Sequence, residues 1–133
     1  MSDVGDNDFV RYIYTGVGRT IDEEGEQRIP LHATHIFVDK SVTTIRARAF
    51  YLHPSIIELI CHEGVEKIES RAFACCHSLR RVIMPGVKIV EQWTFYRCFA
   101  LTDVECSKLE TIERGAFCYC TSLRSINLPS AEI

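Results

Sequence analysis

The sequence predicts a mostly β solenoid, in which short parallel strands stack one above another and tight turns join them. The first observation behind this fold class is a pattern of apolar residues that returns at steps of 23, 22 and 22 residues, as in Phe50, Phe73, Phe95 and Phe117. The second is the L-x-x-V-x-M pattern, as in "LRRVIM", whose repeated apolar positions alternate with variable ones as in a strand with one buried face. A unit this short cannot bury its own apolar face, so stacked units must share one continuous core.

Several columns of residues keep this spacing in one register. Chance does not produce such agreement, and we therefore treat each unit as one turn of the solenoid, here called a rung. A single extra residue in "CHEGV", where the next copy has "MPGV", accounts for the one longer step. Besides the phenylalanines, the columns are Ile45, Ile68, Val90 and Ile112; Ile56, Leu79, Leu101 and Leu123; and Leu59, Val82, Val104 and Ile126.

Each rung is expected to contain one strand and one compact turn. Successive strands of the L-x-x-V-x-M type lie parallel, about 4.8 Å apart. The "MPG" and "LPS" segments supply the bend after the strand. The A-F segment is interpreted as a short helical or 3-10 turn, and the small residue before each Phe allows that turn to approach the sheet.

The chain divides into three parts. Residues 33–130 form the solenoid, with a partial first rung in "ATHIFVDKSV" followed by four full repeats. Residues 1–32 lack the period and are a candidate N-terminal cap, because "FVRYIYTG" alternates like a strand that covers the first rung, whereas the charged "RTIDEEGEQRIP" is typical of a loop. Residues 131–133 begin a truncated further repeat.

Two segments in particular, "LRRVIMPGVKIVEQWTFYRC" and "LTDVECSKLETIERGAFCYC", resemble the unit of the BspA-like leucine-rich repeat family. The resemblance covers residues 33–130. It implies a leucine-rich-repeat solenoid that is non-enzymatic and binds other proteins, often at cell surfaces.

Composition excludes several classes of protein. The net charge is −3 and the pI about 5.9, so the chain lacks the basic excess of a nucleic-acid-binding protein. The start "MSDVGDND" has no basic or apolar region of a secretory signal, and no apolar run is long enough to span a bilayer. We therefore expect an intracellular, cytoplasmic protein.

The 7 cysteines are expected to be reduced thiols, because their number is odd and no secretory signal precedes them. One column of the repeat contains a His and three of these cysteines, a composition that also binds zinc. A ladder of rungs roughly 14 Å long cannot place four ligands around one ion, which favours packing over a metal site or a redox role. No metal or cofactor is expected. The column is His53, Cys76, Cys98 and Cys120.

Two further cysteines, Cys75 and Cys118, fall at the turns and are the candidates for accessible, reactive thiols. The dipeptides Cys61-His62 and Cys76-His77 do not predict a catalytic pair, because adjacent residues of a strand point to opposite faces. No nucleophile, phosphate-binding or metal motif is present. The sequence therefore predicts no enzyme.

The outward face of the strands is the candidate partner-binding surface. Within each strand the residues before and after the central apolar position point outward, and they form two columns. The first alternates in charge, which either makes cross-strand pairs or contributes to binding. The second begins with three apolar residues, which form either a binding site or a surface covered by residues 1–32 or by self-association. The candidate binding residues are Glu58, Arg81 and Asp103 in the first column and Phe37, Ile60, Ile83 and Glu105 in the second.

The predicted function is a non-catalytic scaffold that binds a protein through its exposed parallel sheet. The alternative is a structural or adhesin-like piece of a larger surface repeat protein. The last strand, around Ile126 and Leu128, is an open edge, which predicts either self-association or a fragment of a longer array. Trp93 is expected on the opposite side, packed against a neighbouring turn rather than anchoring a partner.

Overall fold

The computed structural model describes residues 9–16 and 29–126. Within these ranges the chain forms ten short strands and no helix. No helix suited to crossing a membrane occurs in this part of the chain. The strands are β1 Arg11–Tyr14, β2 His35–Val38, β3 Thr44–Ile45, β4 Glu58–Ile60, β5 Lys67–Ile68, β6 Arg81–Ile83, β7 Ile89–Val90, β8 Asp103–Glu105, β9 Thr111–Ile112 and β10 Ser125–Ile126.

The larger sheet confirms the predicted ladder of parallel strands. Its order is β1-β2-β4-β6-β8-β10, and every adjacent pair is parallel. Residues of one column lie directly opposite each other, as Leu59 opposes Val82 and Val82 opposes Val104. The register read from the repeat is therefore the register of the sheet.

A second sheet, with the order β3-β5-β7-β9, was not predicted from the sequence. Each of its strands has 2 residues, and Ile45, Ile68 and Val90 point into the core from them. Two residues are too few to show an alternating pattern, so the sequence revealed the apolar column but not the strand.

The core lies between the two sheets and the turns. The phenylalanine column forms a stack in which adjacent ring centroids are 4.9, 5.6 and 5.2 Å apart, from Phe50 to Phe117. The small residue before each Phe is buried, as predicted for a turn that approaches the sheet. Where that residue is Thr94, its hydroxyl donates hydrogen bonds to the Glu69 and Glu91 carbonyls, so its polar atom is satisfied.

The A-F segments are hydrogen-bonded turns whose amides bond alternately within one rung and between rungs. Ala49 N donates to Arg46 O at 3.2 Å within the turn, and Phe50 N donates to Ala72 O of the next rung at 2.8 Å. The same alternation continues through the later rungs. Two positions of each turn adopt a left-handed backbone with φ near +60°: Arg48, Arg71, Trp93 and Gly115 in one column, and Leu52, Cys75, Arg97 and Tyr119 in the other.

The alternating segment "FVRYIYTG" forms the predicted strand, since β1 pairs in parallel with β2. At the end of β1, the buried Tyr14 ring packs against Phe50 with the ring centroids 5.4 Å apart and the planes tilted by 57°. Its hydroxyl oxygen accepts a hydrogen bond from the Arg46 N–H at 3.2 Å. Residues 1–8, most of the charged loop, and the further repeat predicted at 131–133 lie outside the described residues.

Candidate functional site

The three-residue strands of the larger sheet bury their central residue and turn both neighbours outward. In β4, for example, Leu59 is fully buried while Glu58 and Ile60 are half-buried. The register places Phe37 opposite Ile60 and Ile60 opposite Ile83. The three apolar candidate residues thus form one row across three neighbouring strands.

The first strand lengthens this row by one residue that sequence reasoning missed. Ile13 of β1 lies opposite Phe37 and is 46% exposed. We call Ile13, Phe37, Ile60 and Ile83 the apolar stripe. Four rungs at the usual strand spacing give it a length of about 14 Å. The signal for Ile13 was its place in the alternating "RYIY", but residues 1–32 lack the period, so its register could not be assigned.

The apolar stripe is bordered by a network of ion pairs. Glu58 lies between His35 and Arg81, with one carboxylate oxygen 3.6 Å from His35 Nε2 and the other 3.5 Å from Arg81 Nη1. Arg81 Nη2 also donates to Glu105 at 2.8 Å. That hydrogen bond, with the nearby charges of Glu105, Glu58 and Asp103, raises the pKa of Arg81. The charged column therefore makes the cross-strand pairs expected of it.

The far end of the charged column is less fully neutralised. Asp103 lies opposite Arg81 in the register, and its carboxylate accepts a hydrogen bond of 3.4 Å from the Thr102 hydroxyl. Together with the exposed Glu105 it gives this end of the face an acidic character. At the other end, the Arg11 guanidinium lies 5.3 Å from the Phe37 ring centroid.

Apart from Arg11, whose guanidinium lies over the Phe37 ring, the N-terminal strand does not cover the apolar stripe. β1 pairs along the edge of β2, so it extends the sheet sideways and adds Ile13 to the row. The sequence left open whether residues 1–32 cover the apolar residues of this face. The described part of that segment next to the sheet, residues 9–16, does not cover Ile60 or Ile83. The repeat spacing predicts Asn127 as the next residue of this column after Glu105, and it lies outside the described residues.

The cysteine column packs inside the molecule and donates hydrogen bonds between rungs. The thiols of Cys76, Cys98 and Cys120 donate to the carbonyl oxygen of the phenylalanine one rung earlier, at 3.0, 3.1 and 3.1 Å. Burial raises the pKa of all three, that of Cys120 to about 11, so the thiols stay protonated near neutral pH. The predicted packing role is confirmed.

His53 fills the same column in the first rung in a different way. Its Nε2 lies 2.8 Å from the Pro30 carbonyl oxygen, and its Nδ1 accepts the Ser55 N–H at 3.2 Å. This pattern requires a neutral ring that carries its proton on Nε2. Burial lowers the pKa of His53, which agrees with that form. Within 9–16 and 29–126, no group of three or more His, Cys, Asp or Glu side chains is placed to hold a metal ion.

Neither Cys-His dipeptide forms a thiol–imidazole pair. Both ring nitrogens of His62 bond the backbone, with Nε2 at 2.9 Å from Asp39 O and Nδ1 at 3.0 Å from Gly64 N. Its neighbour Cys61 points into the core, where burial raises the pKa to about 12. The Cys76 thiol donates to the Phe50 carbonyl oxygen, whereas the exposed His77 ring contacts the Phe99 ring.

The turns place the remaining predicted side chains where the sequence suggested. Cys75 and Cys118 are half-buried on the turn surface. Trp93 packs against the next turn, where a Cβ added at Gly115 would come within 2.1 Å of the indole ring. The glycine one rung after the tryptophan is thus the sequence signal for this contact.

Comparisons with known proteins agree with this architecture. A family model for the BspA type leucine-rich repeat region matches residues 31–133 in 6 copies. No curated protein matches the chain significantly. The T. pallidum leucine-rich repeat protein TpLRR is similar in structure, with a TM-score of 0.65 and 22% identity over 89% of this chain and 52% of that one.

Two more solved structures share the fold. A leucine-rich repeat protein from Bacteroides ovatus has a TM-score of 0.65 and 20% identity over 86% of this chain and 36% of its own. The pneumococcal vaccine antigen PcpA has a TM-score of 0.65 and 22% identity over 87% of this chain and 33% of its own. The chain therefore spans about half or less of the length of these proteins. The family match covers most of the residues, and the chain belongs to the BspA-type leucine-rich repeat family.

Proposed function

We propose that this protein is a non-catalytic scaffold that binds a protein partner through the outer face of its six-stranded sheet. The observation that carries the proposal is the apolar stripe, a continuous row of four large apolar side chains on a face that borders solvent. A contiguous apolar patch rimmed by charge is typical of an interaction site, whereas scattered apolar residues are not.

The composition of this face supports a protein partner more than a small ligand. The stripe is open and linear, without the concave walls that bury most of a small molecule. Its charged border includes Glu58 and Arg81, which are paired with each other, and the acidic Asp103 and Glu105 at one end. We therefore expect a partner with a row of apolar side chains and a basic residue near Glu105.

We propose no enzymatic role, and the environment of the Cys-His dipeptides supports this. The candidate nucleophiles Cys61, Cys76 and Cys98 are buried, and their thiols stay protonated near neutral pH because burial raises each pKa. The imidazole of His62 is bonded on both sides to the backbone. These groups hold the rungs together, which is a structural role.

Two variants of one rung test the binding face. Ile83→Asp puts a charge in the apolar stripe, and Ile89→Asp makes the same change on the second sheet, where Ile89 is also half-buried. Each should lower the free energy of unfolding by about 0.5 to 1 kcal/mol, as partly exposed positions do. A central apolar anchor is worth about 2 kcal/mol or more in binding. Partners captured from a lysate by the wild type and by Ile89→Asp should be missing with Ile83→Asp.

Leu79→Ala is the control for a true core position. It should lower the stability by about 2 to 5 kcal/mol, because a cavity remains. If Ile83→Asp destabilises as much as Leu79→Ala, the residue is core and the binding face is misassigned. If both aspartate variants retain every partner, the stripe does not bind.

The alternative function is a structural or adhesin-like part of a larger surface repeat protein. The observation that favours it is the apolar face of the last described rung. There Phe117, Leu123 and Ile126 are half-buried, whereas Phe95, Leu101 and Val104 one rung earlier are buried. Among the described residues, none packs over this face as the next rung would. We propose that a further rung or a second copy covers it.

Oligomeric state and location separate the two functions. Self-association through the last strand predicts a mass that increases with concentration in light scattering, and a monomer at every concentration contradicts it.

The seven thiols favour a reducing compartment, so we propose an intracellular location for the scaffold function. Recovery of the native protein from intact cells by surface labelling would instead support the surface function.

A further inference from the structure

A cluster of aromatic rings surrounds one arginine on the turns of the third and fourth full repeats. The Arg97 guanidinium carbon lies 5.6 Å from the Tyr96 ring centroid, 5.7 Å from Tyr119 and 6.0 Å from Phe99. Trp93 contacts Tyr96 edge-on at 5.3 Å. We call Arg97, Tyr96, Tyr119 and Phe99 the arginine cluster. It is built from turn residues and includes no residue of the apolar stripe.

The backbone under the arginine cluster has the left-handed conformation that this column adopts in each described rung. Arg97 and Tyr119 occupy the left-handed column, with φ of 61° and 62°. A non-glycine residue there is disfavoured, and glycine would adopt the same conformation without strain. Both side chains are exposed, Tyr119 by 57%, so they add nothing to the core. Leu52 and Cys75 have the same conformation in earlier rungs, so the backbone alone does not mark a site. The arginine cluster differs from those rungs because an arginine and a tyrosine occupy this column on adjacent turns.

The charge of Arg97 is not neutralised by the surrounding protein. Among the described residues, the ion pairs involve Lys67, Arg81 and His35, and no carboxylate lies within ion-pair distance of Arg97. The Arg97 side chain is exposed beside these rings, so its N–H groups are accessible to a ligand. A planar guanidinium with a free edge binds a carboxylate through two parallel hydrogen bonds.

We propose that the arginine cluster binds an acidic peptide, with a Glu or Asp carboxylate on Arg97 and an adjacent apolar side chain among the rings. Tyr, Trp and Arg are the residue types that dominate the binding energy of protein interfaces. The Tyr96 and Tyr119 rings are tilted by 58° to each other, so they do not form one flat platform for a sugar ring. The site is independent of the apolar stripe and favours a different partner chemistry.

The single tryptophan of the chain provides the measurement, because Trp93 contacts Tyr96 directly. The probes are short synthetic peptides with a central Glu-Asp pair flanked by Leu and Phe, and matched peptides with Gln-Asn in the centre. Titration is followed by Trp93 fluorescence and by calorimetry. The acidic peptide should bind more tightly than its matched peptide, and added salt should weaken it.

Matched arginine variants locate the site. Arg97→Gln should weaken binding by about ten- to a hundredfold, the value of a charge-assisted hydrogen bond. Arg80→Gln, which removes an exposed arginine beside the larger sheet, should leave the affinity unchanged, and so should Ile83→Asp. Circular dichroism establishes that each variant is folded. If Arg97→Gln does not fold, Tyr119→Ser tests the same cluster at an exposed position.

Three results overturn the proposal. The first is that the acidic and the matched peptides bind with equal affinity, or that neither binds. The second is that Arg80→Gln weakens binding as much as Arg97→Gln, which would mean that only the overall charge of the protein matters. The third is that acidic sugars or sulfate bind in an Arg97-dependent manner while the peptides do not, which would assign the cluster to another class of ligand. Loss of binding to the apolar stripe has no bearing on this outcome, so the two proposals fail separately.

Discussion

The first rung and the interior rungs fill the same two positions with different side chains. In the interior, a Phe stacks on the Phe of the preceding rung, and a thiol donates to that residue's carbonyl, as Cys98 does to Phe73. At the first rung, Tyr14 of β1 takes the place of the Phe, and His53 takes the place of the thiol.

The difference follows from what the first rung lacks. In later rungs the amide after the second-sheet strand donates to a carbonyl of the preceding rung, as Glu69 N does to Ile45 O at 2.9 Å. Arg46 N has no such carbonyl, and the Tyr14 hydroxyl accepts its hydrogen bond. No Phe carbonyl precedes His53, whose longer side chain reaches Pro30 O instead. A repeat column therefore changes residue type where the stack ends. We propose on these contacts that β1 and residues 29–32 cap the solenoid.

The largest effect is expected in the interior stack. Phe73→Ala removes a fully buried ring that stacks on Phe50 and on Phe95. It should lower the free energy of unfolding by about 3 to 5 kcal/mol. Urea denaturation followed by circular dichroism measures the loss. A loss below about 1 kcal/mol would mean that the ring stack does not hold the rungs together.

Tyr14→Phe tests the end of the stack, because it keeps the ring and removes only the hydroxyl. The Arg46 N–H then loses its acceptor, which should lower the stability by about 1 to 3 kcal/mol if no water replaces it. Tyr51→Phe is the control, since that ring is 38% exposed, and it should change the stability by less than about 0.5 kcal/mol. Equal effects of the two variants would remove the special role of Tyr14.

His53 should make the stability depend on pH. Its pKa in the folded state lies below the ordinary value of 6.5 because the ring is buried, so the unfolded state binds more protons. The contribution is complete above pH 6.5 and is lost as the pH falls through the folded-state pKa. His53→Gln keeps a side-chain donor without a titrating group and should reduce this acid sensitivity. His77→Gln, at an exposed position, should not, and a reduction by both variants would contradict the assignment.

Much of the fold could be predicted because the period fixes the register. Once Leu59, Val82 and Val104 were placed in one column, the parallel sheet and the outward position of Ile60 and Ile83 followed. The thiol column was also predicted, because four successive rungs cannot converge on one ion.

The remaining features depend on contacts that a period does not encode. Ile13 belongs to the apolar stripe only because β1 pairs with β2, and nothing in residues 1–32 fixes that register. The second sheet has strands of 2 residues, too short for a pattern. The arginine cluster requires Tyr96, Arg97 and Tyr119 to meet across two turns, a contact that appears only in the three-dimensional fold.

The smallest effect is expected when an interior thiol is removed, and it completes the comparison with His53. Cys76→Ala deletes one buried sulfur atom and its hydrogen bond to Phe50 O. A thiol is a weak donor, so the loss of stability should be about 1 kcal/mol, in large part from the small cavity.

Burial raises the pKa of Cys76, so its thiol has the same protonation state throughout acidic and neutral pH. The loss should therefore be the same at every pH from about 5 to 8, the range in which an unperturbed histidine titrates. Denaturation of Cys76→Ala and His53→Gln across that range distinguishes the two positions. A loss for Cys76→Ala that varies with pH as strongly as that for His53→Gln would mean that the end and the interior of the column are chemically alike.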